Sequence, residues 1–228
     1  RKLNMENTKQ NKQTNAFTRF VKEWGIFLAI ITIAILSRIF IWSLVVVDGH
    51  SMDPNLADKQ RLVLIKTASI NRFDIVVAKE TETVNGQTET KDVVKRVVGM
   101  PGDEIKFDKD QLYINGKKTD EPYLADFKKQ LSNNELEKTY QNYALTSELS
   151  EANRAYFVQL AQQAQAFTTD ATGNPTFTIK VPEGEYLLLG DNRIVSRDSR
   201  AVGTFKRSDI VGRTMFRVWP INKISTLN

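Results

Sequence analysis

Residues 73–98 have the sequence FDIVVAKETETVNGQTETKDVVKRVV, which predicts two strands joined by a tight turn. β-Branched residues are concentrated at both ends of this stretch, and the pair Asn85-Gly86 stands near its middle. Asn-Gly is favoured in two-residue hairpin loops because both positions need a positive φ. The segment therefore predicts a β-hairpin, and strand-like sequence continues on both sides of it.

Other short runs rich in β-branched and aromatic residues are separated by turn residues. They are RLVLIKT from Arg61, QLYI from Gln111, TFTIKV from Thr176, EYLLL from Glu185 and IVGRTMFRVW from Ile210. A second Asn-Gly pair, Asn115-Gly116, follows QLYI and predicts another hairpin. The fold class predicted from these runs is mainly β.

The stretch from about 124 to 170 has a different pattern and predicts one or two helices inserted between strands. Residues 132–135, SNNE, resemble a capping box at a helix start. Two roles stay open for this helical insert: surface packing, or the binding of a substrate or partner. Apolar residues recur at helical spacing: they are Leu136, Tyr140 and Tyr143, and then Leu145, Leu149, Ala152, Tyr156 and Leu160.

The net charge of +5 belongs entirely to the N-terminal tail, residues 1–22. This tail holds six basic side chains and one acidic side chain, and it has few apolar residues before Phe17. Its composition predicts a disordered or loosely ordered segment. Because the remainder of the chain has no basic excess, we expect no nucleic-acid partner.

An apolar segment, GIFLAIITIAILSRIFIWSLVVV, occupies residues 25–47. At about 1.5 Å per residue, a helix of this length spans roughly 35 Å, which exceeds a hydrocarbon core of about 30 Å. A buried helix of a soluble protein and a cleaved signal peptide are the alternatives. The length, the basic flank and the lack of an Ala-x-Ala cleavage site favour one transmembrane helix, expected at 23–43.

The basic tail on one side of this span predicts its orientation. We expect a single-pass protein of the plasma membrane with the tail in the cytoplasm and the domain at 44–228 outside the cell. Arg38 is either a functional charge within the lipid bilayer or a side chain that reaches the outer interface beside Trp42. We favour the second reading, with the helix ending between Arg38 and Ser43 and Val45–Val47 leading into a strand.

The chain has no cysteine and a single histidine, His50. The first fact excludes a disulfide framework, a zinc–thiolate site and a cysteine nucleophile. The second excludes a metal site with several histidines, and any His-Asp-Ser triad would have to use His50. We expect neither a metal nor a cofactor.

Ser51 is a candidate nucleophile in the segment DGHSMDPNL at 48–56. An ordinary turn serine is the alternative. Adjacent residues of an extended chain point to opposite sides, so His50 is poorly placed to take a proton from Ser51. A serine nucleophile at this position therefore needs another base.

Lys95 is a candidate for that base in the segment DVVKRVVGMPGD at 92–103. On a strand, Val93 and Val97 flank Lys95 on the same face. Burial lowers the pKa of a lysine and provides a neutral amine near pH 7. The alternative is a lysine whose ammonium passes the valines and reaches solvent.

A third segment, GDNRIVSRDSR at 190–200, combines arginines, aspartates and the hydroxyls of Ser196 and Ser199. The alternative for this segment alone is a solvated charged loop after the strand EYLLL. In this order, behind one apolar segment, the three segments resemble type I (leader) signal peptidases, in their Gram-positive form. The family patterns Lys-Arg-x-x-Gly-x-Pro-Gly-Asp and Gly-Asp-Asn-Arg-x-x-Ser-x-Asp-Ser-Arg match fully.

The first family pattern, Ser-Met-x-Pro-Thr-Leu, departs at Asn55, where threonine is usual. The resemblance covers residues 20–128 and 176–220 and leaves the helical insert unexplained. It implies a signal-peptidase-type β fold and a membrane-anchored serine endopeptidase with a Ser–Lys dyad. The implied substrates are preproteins, whose N-terminal signal peptides are removed by cleavage after small residues.

The resemblance also implies roles for individual residues. Ser51 is the nucleophile and its backbone N–H is an oxyanion donor; Lys95 is the general base, and the Ser196 hydroxyl orients the lysine. Gly49 stands where some members carry a serine hydroxyl as a second oxyanion donor. Four residues are expected to support the site by ion pairs and two to contact substrate or membrane: Arg96, Asp191, Asp198 and Arg200, and then Met52 and Pro54.

Two other families are weighed against this reading. SOS-repressor autoproteases share the β fold and the dyad, but they carry an N-terminal DNA-binding domain where this chain has an apolar span. Signal-peptidase-like chaperones of pilus assembly lose the serine or the lysine, whereas Ser51 and Lys95 are both present here. A partner in secretion or pilus assembly that binds the helical insert stays open.

Overall fold

The computed structural model describes residues 2–84, 87–141 and 150–227. The chain forms two compact units, Arg1–Ser43 and Leu44–Asn228. Three predicted helix positions, Tyr143, Leu145 and Leu149, and the predicted turn at 85–86 lie outside the described residues.

The first unit is dominated by one long helix, α1 (Lys2–Phe40). The helix includes the tail for which the composition predicts disorder. Its lysines and glutamines are good helix formers, and extending an existing helix adds one hydrogen bond for each residue fixed. Residues Thr18–Phe40 have a mean hydropathy of 1.8, and their length and composition suit a membrane crossing.

The helix ends next to an arginine–tryptophan contact. Arg38 lies 5.8 Å from the ring centroid of Trp42, and the indole N–H of Trp42 donates to the hydroxyl of Ser37 at 3.3 Å. A strand begins at Trp42. This pairing of a cation with an amphipathic aromatic ring is suited to a membrane interface.

The remaining elements are short strands and helices. The strands are β1 (Trp42–Val46), β2 (Arg61–Ile65), β3 (Ile75–Val84), β4 (Gln87–Gly99), β5 (Glu104–Asp108), β6 (Gln111–Ile114), β7 (Lys117–Thr119), β8 (Thr176–Lys180), β9 (Glu185–Leu189), β10 (Phe205–Lys206), β11 (Ile210–Trp219) and β12 (Ser225–Thr226). The helices are α2 (Ala125–Ser132), α3 (Leu136–Gln141), α4 (Glu151–Gln163) and α5 (Ser199–Val202), with short 3-10 helices at Pro122–Leu124, Arg207–Asp209 and Ile221–Lys223.

The strands form two antiparallel sheets, so the mainly β prediction is confirmed. The larger sheet has the order β1-β2-β11-β3-β4-β9-β10, with β12 beside β11, and the smaller has the order β7-β6-β5-β8. In the predicted hairpin, β3 and β4 pair from Ile75 opposite Arg96 to Val84 opposite Gln87. The second hairpin is β6 and β7, where Ile114 pairs with Lys117 across Asn115-Gly116.

Strand β4 contributes fully buried valines to two hydrophobic clusters. Val97 packs with Val76 and Leu188, while Val98 packs in a separate cluster with Ile105 and Phe107. Successive side chains of a strand alternate between its faces, so this strand also sends Lys95 and Arg96 in different directions. Both charged residues lie in the tightly packed half of β4.

The helical insert contains three helices among the described residues. The expected capping box is wrong: Ser132 is the last residue of α2, and its hydroxyl donates to the carbonyl of Lys129 at 2.8 Å. The chain turns at Asn134, whose φ of 57° is incompatible with a continuous helix, and α3 starts at Leu136. The hydroxyl that caps a helix belongs to Ser150, which accepts from the N–H of Asn153 at the start of α4.

The insert has a hydrophobic core of its own, which includes Leu136 and Tyr140 of the predicted spacing, whereas Ala152 and Tyr156 on α4 are exposed. Leu124, Phe127, Leu136, Tyr140, Phe157, Ala161 and Phe167 form this core. Ile194 and Val195, from the loop after β9, pack against it. The insert is therefore joined to the third of the sequence motifs.

Candidate active site

Ser51 lies in a turn that follows β1. Gly49 has a φ of 86°, which a side chain would disfavour, and its N–H donates to Asp58 at 2.8 Å. The carbonyl of Ser51 accepts the N–H of Asn192 at 3.0 Å. Two anchors thus hold the turn, one before Ser51 and one from the loop after β9.

Lys95 reaches this turn from β4. Its Nζ lies 2.8 Å from the Oγ of Ser51, and the lysine is 4% exposed. Burial lowers the pKa of Lys95 to about 8, although Asp198 and Glu80 partly oppose the shift by favouring the charged form. The lysine does not reach solvent, and its deprotonated form is accessible in the pH range of most enzymes.

The geometry suits a proton transfer between the two side chains. With Lys95 charged, its ammonium donates to the hydroxyl oxygen of Ser51. After deprotonation, the hydroxyl donates to Nζ at the same separation and becomes the better nucleophile. The structure thus brings together the two residues that the sequence selected as candidates for nucleophile and base.

His50 is engaged elsewhere. Its Nδ1 lies 2.9 Å from Oδ2 of Asp53, and its ring meets the edge of Phe157 with centroids 5.6 Å apart. The hydrogen bond to Asp53 raises the pKa of His50, while burial raises the pKa of Asp53 to about 6. These contacts direct the imidazole toward Asp53 and the helical insert.

Arg96 and Asp191 form a buried, two-pronged ion pair. Nε and Nη2 of Arg96 donate to the two carboxylate oxygens at 2.8 and 2.7 Å. Nη1 donates to the carbonyl of Phe73, and the guanidinium lies 4.0 Å from the ring centroid of Tyr123. This geometry is the strong form of an arginine–carboxylate contact, and it joins β4 to the loop after β9.

Asn55 extends this ion pair to the turn of Ser51. Its Nδ2 donates to Oδ2 of Asp191 at 2.8 Å and to the carbonyl of Tyr123 at 3.1 Å. An amide nitrogen has two hydrogens, so one side chain satisfies both acceptors. The departure from threonine at this position therefore keeps a hydrogen-bonded connection.

Asp198 and Arg200 form a second buried pair behind Lys95. Nε of Arg200 donates to Asp198 at 2.8 Å, and Asp198 also accepts the N–H of Gly190 at 2.9 Å. Burial alone would raise the pKa of Asp198, but Arg200, together with the N–H of Gly190 and the charge of Lys95, holds it below its usual value. The carboxylate therefore stays ionised beside the lysine.

Ser196 does not make the expected contact with Lys95. Its hydroxyl is buried and has no hydrogen-bond partner within the described residues. The side chain packs against Gly190, at the place where a Cβ of residue 190 would lie. Nζ of Lys95 is directed at Ser51, and the expected hydrogen bond between Ser196 and Lys95 is not formed among the described residues.

Met52 also differs from expectation. It is 1% exposed and packs in the core with Val47, Leu56 and Leu62, so neither lipid nor substrate reaches its side chain. Sequence spacing places Met52 next to Ser51, but the turn directs it inward. Pro54 is partly exposed.

Sequence reasoning missed a buried charge network around Arg193. Its Nε donates to the carbonyl of Gly190 at 2.9 Å, and its Nη2 is paired with Glu121. Glu121 also accepts from the hydroxyl of Tyr123 and from Lys128. Arg193 lies within the third motif, but no local pattern marks Glu121 as its partner.

The sequence also gives no indication that Tyr140 of the insert is connected to the site. Its hydroxyl donates to Oδ1 of Asn192 at 2.5 Å, and the ring is fully buried. The Nδ2 of Asn192 donates to the carbonyl of His50 at 3.1 Å, while its backbone N–H binds the carbonyl of Ser51. The insert is therefore connected to the turn of Ser51 through one asparagine.

An open cleft of about 360 Å³ contains Ser51 and Lys95. Residues of the turn, of the β3–β4 hairpin, of the loop after β9 and of helix α4 line it. They are Asp48, Gly49, His50, Glu80, Lys91, Asp92, Val93, Val94, Tyr156, Phe157, Val195 and Arg197.

The chain is similar to known proteins over most of its length. Residues 18–219 match the family described as signal peptidase, peptidase S26. A signal peptidase I of Streptococcus pneumoniae is 54% identical, over 93% of this chain and 99% of its own length. Signal peptidase IB of Staphylococcus aureus is 34% identical, over 89% of this chain and 92% of its own length.

Among solved structures, a signal peptidase I from Enterococcus faecalis is 29% identical, with a TM-score of 0.40, and the match covers 64% of this chain and 97% of that one. The family match extends over most of the chain, and it includes the turn, the strand and the loop that form the cleft. The chain belongs to the signal peptidase family, peptidase S26.

Proposed function

We propose that this chain is a membrane-anchored serine endopeptidase that removes N-terminal signal peptides from preproteins with Ser51 and Lys95 as its catalytic dyad. The observation that carries the proposal is the 2.8 Å separation between Nζ of the buried Lys95 and Oγ of Ser51. The names of the relatives, signal peptidase I and IB, support the substrate class.

Acylation starts with neutral Lys95. Oγ of Ser51 attacks the carbonyl carbon of the scissile bond while its proton passes to Nζ of Lys95. The tetrahedral intermediate then loses the amine of the mature protein, which takes the proton back from Lys95. The signal peptide remains as an ester on Ser51.

Deacylation repeats these proton transfers with water. Lys95 takes a proton from the attacking water molecule, the ester bond breaks, and Oγ of Ser51 is reprotonated by the lysine. The released signal peptide ends in a carboxylate. One buried amine therefore serves as base and acid in both halves of the reaction.

The backbone N–H of Ser51 is the first candidate for stabilising the negative oxygen of each intermediate. It forms no hydrogen bond with another backbone group of the described chain, so it is available to a substrate. Gly49 has no side-chain donor and its own N–H is engaged by Asp58. We therefore assign no side-chain oxyanion donor to the position before His50.

The buried ion pairs hold these groups in position. Arg96 and Asp191 fix the strand of Lys95 against the loop after β9, and Asp198 and Arg200 fix that loop through Gly190. A displacement of about 1 Å in reacting groups lowers rates about 100-fold. We assign these four residues a supporting role.

We further propose that residues Thr18–Phe40 anchor the enzyme in the plasma membrane, with the basic tail in the cytoplasm and the unit after Ser43 outside the cell. The substrates would then be preproteins whose cleavage points lie close to the membrane. Small side chains next to the cut are expected because the family resemblance implies them.

Incubation of the full chain in detergent with a preprotein tests the dyad. We expect cleavage after a small residue, and a loss of at least about 1,000-fold in kcat for Ser51→Ala and Lys95→Ala. The exposed residues Ser208 and Lys180 provide matched controls, since Ser208→Ala and Lys180→Ala remove the same groups away from the cleft. Cleavage that persists in Ser51→Ala would overturn the assignment.

The anchoring proposal has its own test. We expect the full chain to remain with membranes after a high-salt wash, and added protease to reach residues after 43 only from the outer side of intact cells. Release of the chain by salt would contradict anchoring, and protection of the domain in intact cells would contradict the orientation.

A further inference from the structure

We propose that helix α4 of the insert forms a substrate subsite, in which Tyr156 contacts an apolar side chain of the bound peptide. The subsite rests on the proposed function and extends it to a residue beyond the small ones at the cut. Tyr156 and Phe157 line the same cleft as Ser51 and Lys95. The insert thus has a role in specificity.

The two aromatic residues of α4 differ in how far they are exposed to solvent. Phe157 is 7% exposed, and its ring packs in T-shaped contacts with the rings of His50 and Tyr140, with centroid distances of 5.6 and 5.8 Å. Tyr156 is 55% exposed, and its ring lies 6.2 Å from that of Phe157. The ring of Phe157 is therefore held in place by its neighbours, whereas the ring of Tyr156 is exposed in the cleft.

The position of α4 is fixed relative to the reacting groups. Val158 of α4 and Val195 of the loop after β9 pack against the core of the insert, and Val195 also lines the cleft. Phe157 meets His50, the residue before Ser51. The wall formed by α4 is therefore held both by the turn of Ser51 and by the loop after β9, as a specificity surface requires.

The aromatic ring of Tyr156 favours an apolar occupant at this wall of the cleft. Glu80 binds Arg197 at 2.7 Å and lies 3.7 Å from Lys91, so these charges of the cleft are paired with one another. A charged substrate group would have to compete with those pairs. By contrast, contact between the ring of Tyr156 and an apolar side chain is favourable, because it removes apolar surface from water.

Cleavage of a peptide series tests the subsite. Each peptide spans a cleavage point with small residues next to the cut, and leucine or serine is placed in turn at each neighbouring position. For one leucine position, we expect Tyr156→Ala to raise KM about five- to tenfold with kcat nearly unchanged, while the serine peptides are unaffected. Tyr156→Phe keeps the ring and should retain the wild-type KM.

Gln162→Ala is the matched control, because Gln162 is an exposed residue of the same helix outside the cleft. Equal kcat/KM values for Tyr156→Ala and wild type on every leucine peptide would overturn the subsite. So would an equal loss on leucine and serine peptides, which would indicate a structural effect.

Binding without cleavage separates this proposal from the proposed function. In the Ser51→Ala background, we expect Tyr156→Ala to weaken binding of the selected leucine peptide about five- to tenfold and to leave the serine peptide unchanged. If Ser51→Ala still cleaves peptides, the dyad is wrong while this comparison still reports on the subsite. Equal binding of both peptides to the Ser51→Ala chain, with and without Tyr156, would overturn the subsite alone.

Discussion

Nζ of Lys95 lies 2.8 Å from Oγ of Ser51, although 44 positions separate the two residues in the chain. The lysine is 4% exposed and the serine lies at the wall of an open cleft. A solvated ammonium would remain charged at neutral pH, whereas the ammonium of Lys95 is deprotonated more easily because burial removes the hydration that stabilises its charge. We therefore expect the lowered pKa of Lys95 to set the pH dependence of the proposed activity.

The first prediction concerns that pH dependence. The base form of Lys95 is the neutral amine, and burial lowers its pKa to about 8. Below that pH the lysine is protonated, so kcat/KM should fall about tenfold for each unit of pH. It should rise through pH 8 and then level off. Initial rates on a short peptide substrate between pH 6 and 10 measure the profile.

His50 is the control for this assignment, because its hydrogen bond to Asp53 raises its pKa above the ordinary value. We expect His50→Gln to keep most of the activity and the same midpoint near pH 8. A midpoint that moves or disappears in His50→Gln would identify the imidazole as the titrating group and remove Lys95 from that role.

A second prediction concerns Gly190. A Cβ at this position would lie 2.5 Å from the carbonyl oxygen of Ser51 and would also overlap the side chain of Ser196. The added methyl must therefore displace the turn of the nucleophile. We expect Gly190→Ala to lower kcat by about 100-fold, because catalysis depends on placement of the reacting groups to within about 1 Å.

Gly173→Ala is the matched control for that substitution. Gly173 lies in a turn where an added methyl would meet no atom within 4 Å, and its φ of 87° makes the cost of alanine a local backbone strain only. The activity of Gly173→Ala should equal that of the wild type. A Gly190→Ala enzyme with normal kcat would show that the loop after β9 does not position Ser51.

Much of this site is predictable from local sequence. The valines on either side of Lys95 indicate a buried strand lysine, and the Asn85-Gly86 pair indicates the hairpin that carries it. Side chains of a strand alternate between its two faces, so a few neighbouring residues are enough to predict which of them share a face. Together with the motif around Ser51, they select the pair that the structure brings into contact.

Other features depend on tertiary packing that no local pattern records. Glu121 and Arg193 are 72 positions apart, and their pairing requires the segment before the insert to lie against the loop after β9. The inward direction of Met52 depends on the path of a single turn, which spacing does not define. Helix propagation from an apolar span also outweighs the polar composition of the tail.

The third prediction concerns the buried pair of Arg96 and Asp191. Arg96→Met leaves a fully buried carboxylate without its cation, so we expect unfolding to become about 3–5 kcal/mol easier. Adding Asp191→Leu removes the orphan charge and should recover a large part of this loss. Thermal unfolding of the chain in detergent, followed by circular dichroism, measures both variants.

The pair of Arg197 and Glu82 is the control for the buried pair, because both side chains are substantially exposed. Solvent screens such pairs, so Glu82→Gln should leave the melting temperature nearly unchanged. If Arg96→Met is no less stable than Glu82→Gln, the buried ion pair does not hold β4 against the loop.

The last prediction separates a positioning role of the insert from a purely structural one. Tyr140→Phe deletes the hydroxyl that binds Oδ1 of Asn192, while the ring keeps its place in the core of the insert. The amide of Asn192 would then be free to rotate away from the carbonyl of His50, which loosens the turn of Ser51. We expect kcat to fall about tenfold with KM unchanged, measured well below the melting temperature.

Tyr186→Phe makes the same chemical change in β9 and should keep the wild-type kcat. A Tyr140→Phe enzyme that melts earlier but retains its kcat would limit Tyr140 to stabilising the insert.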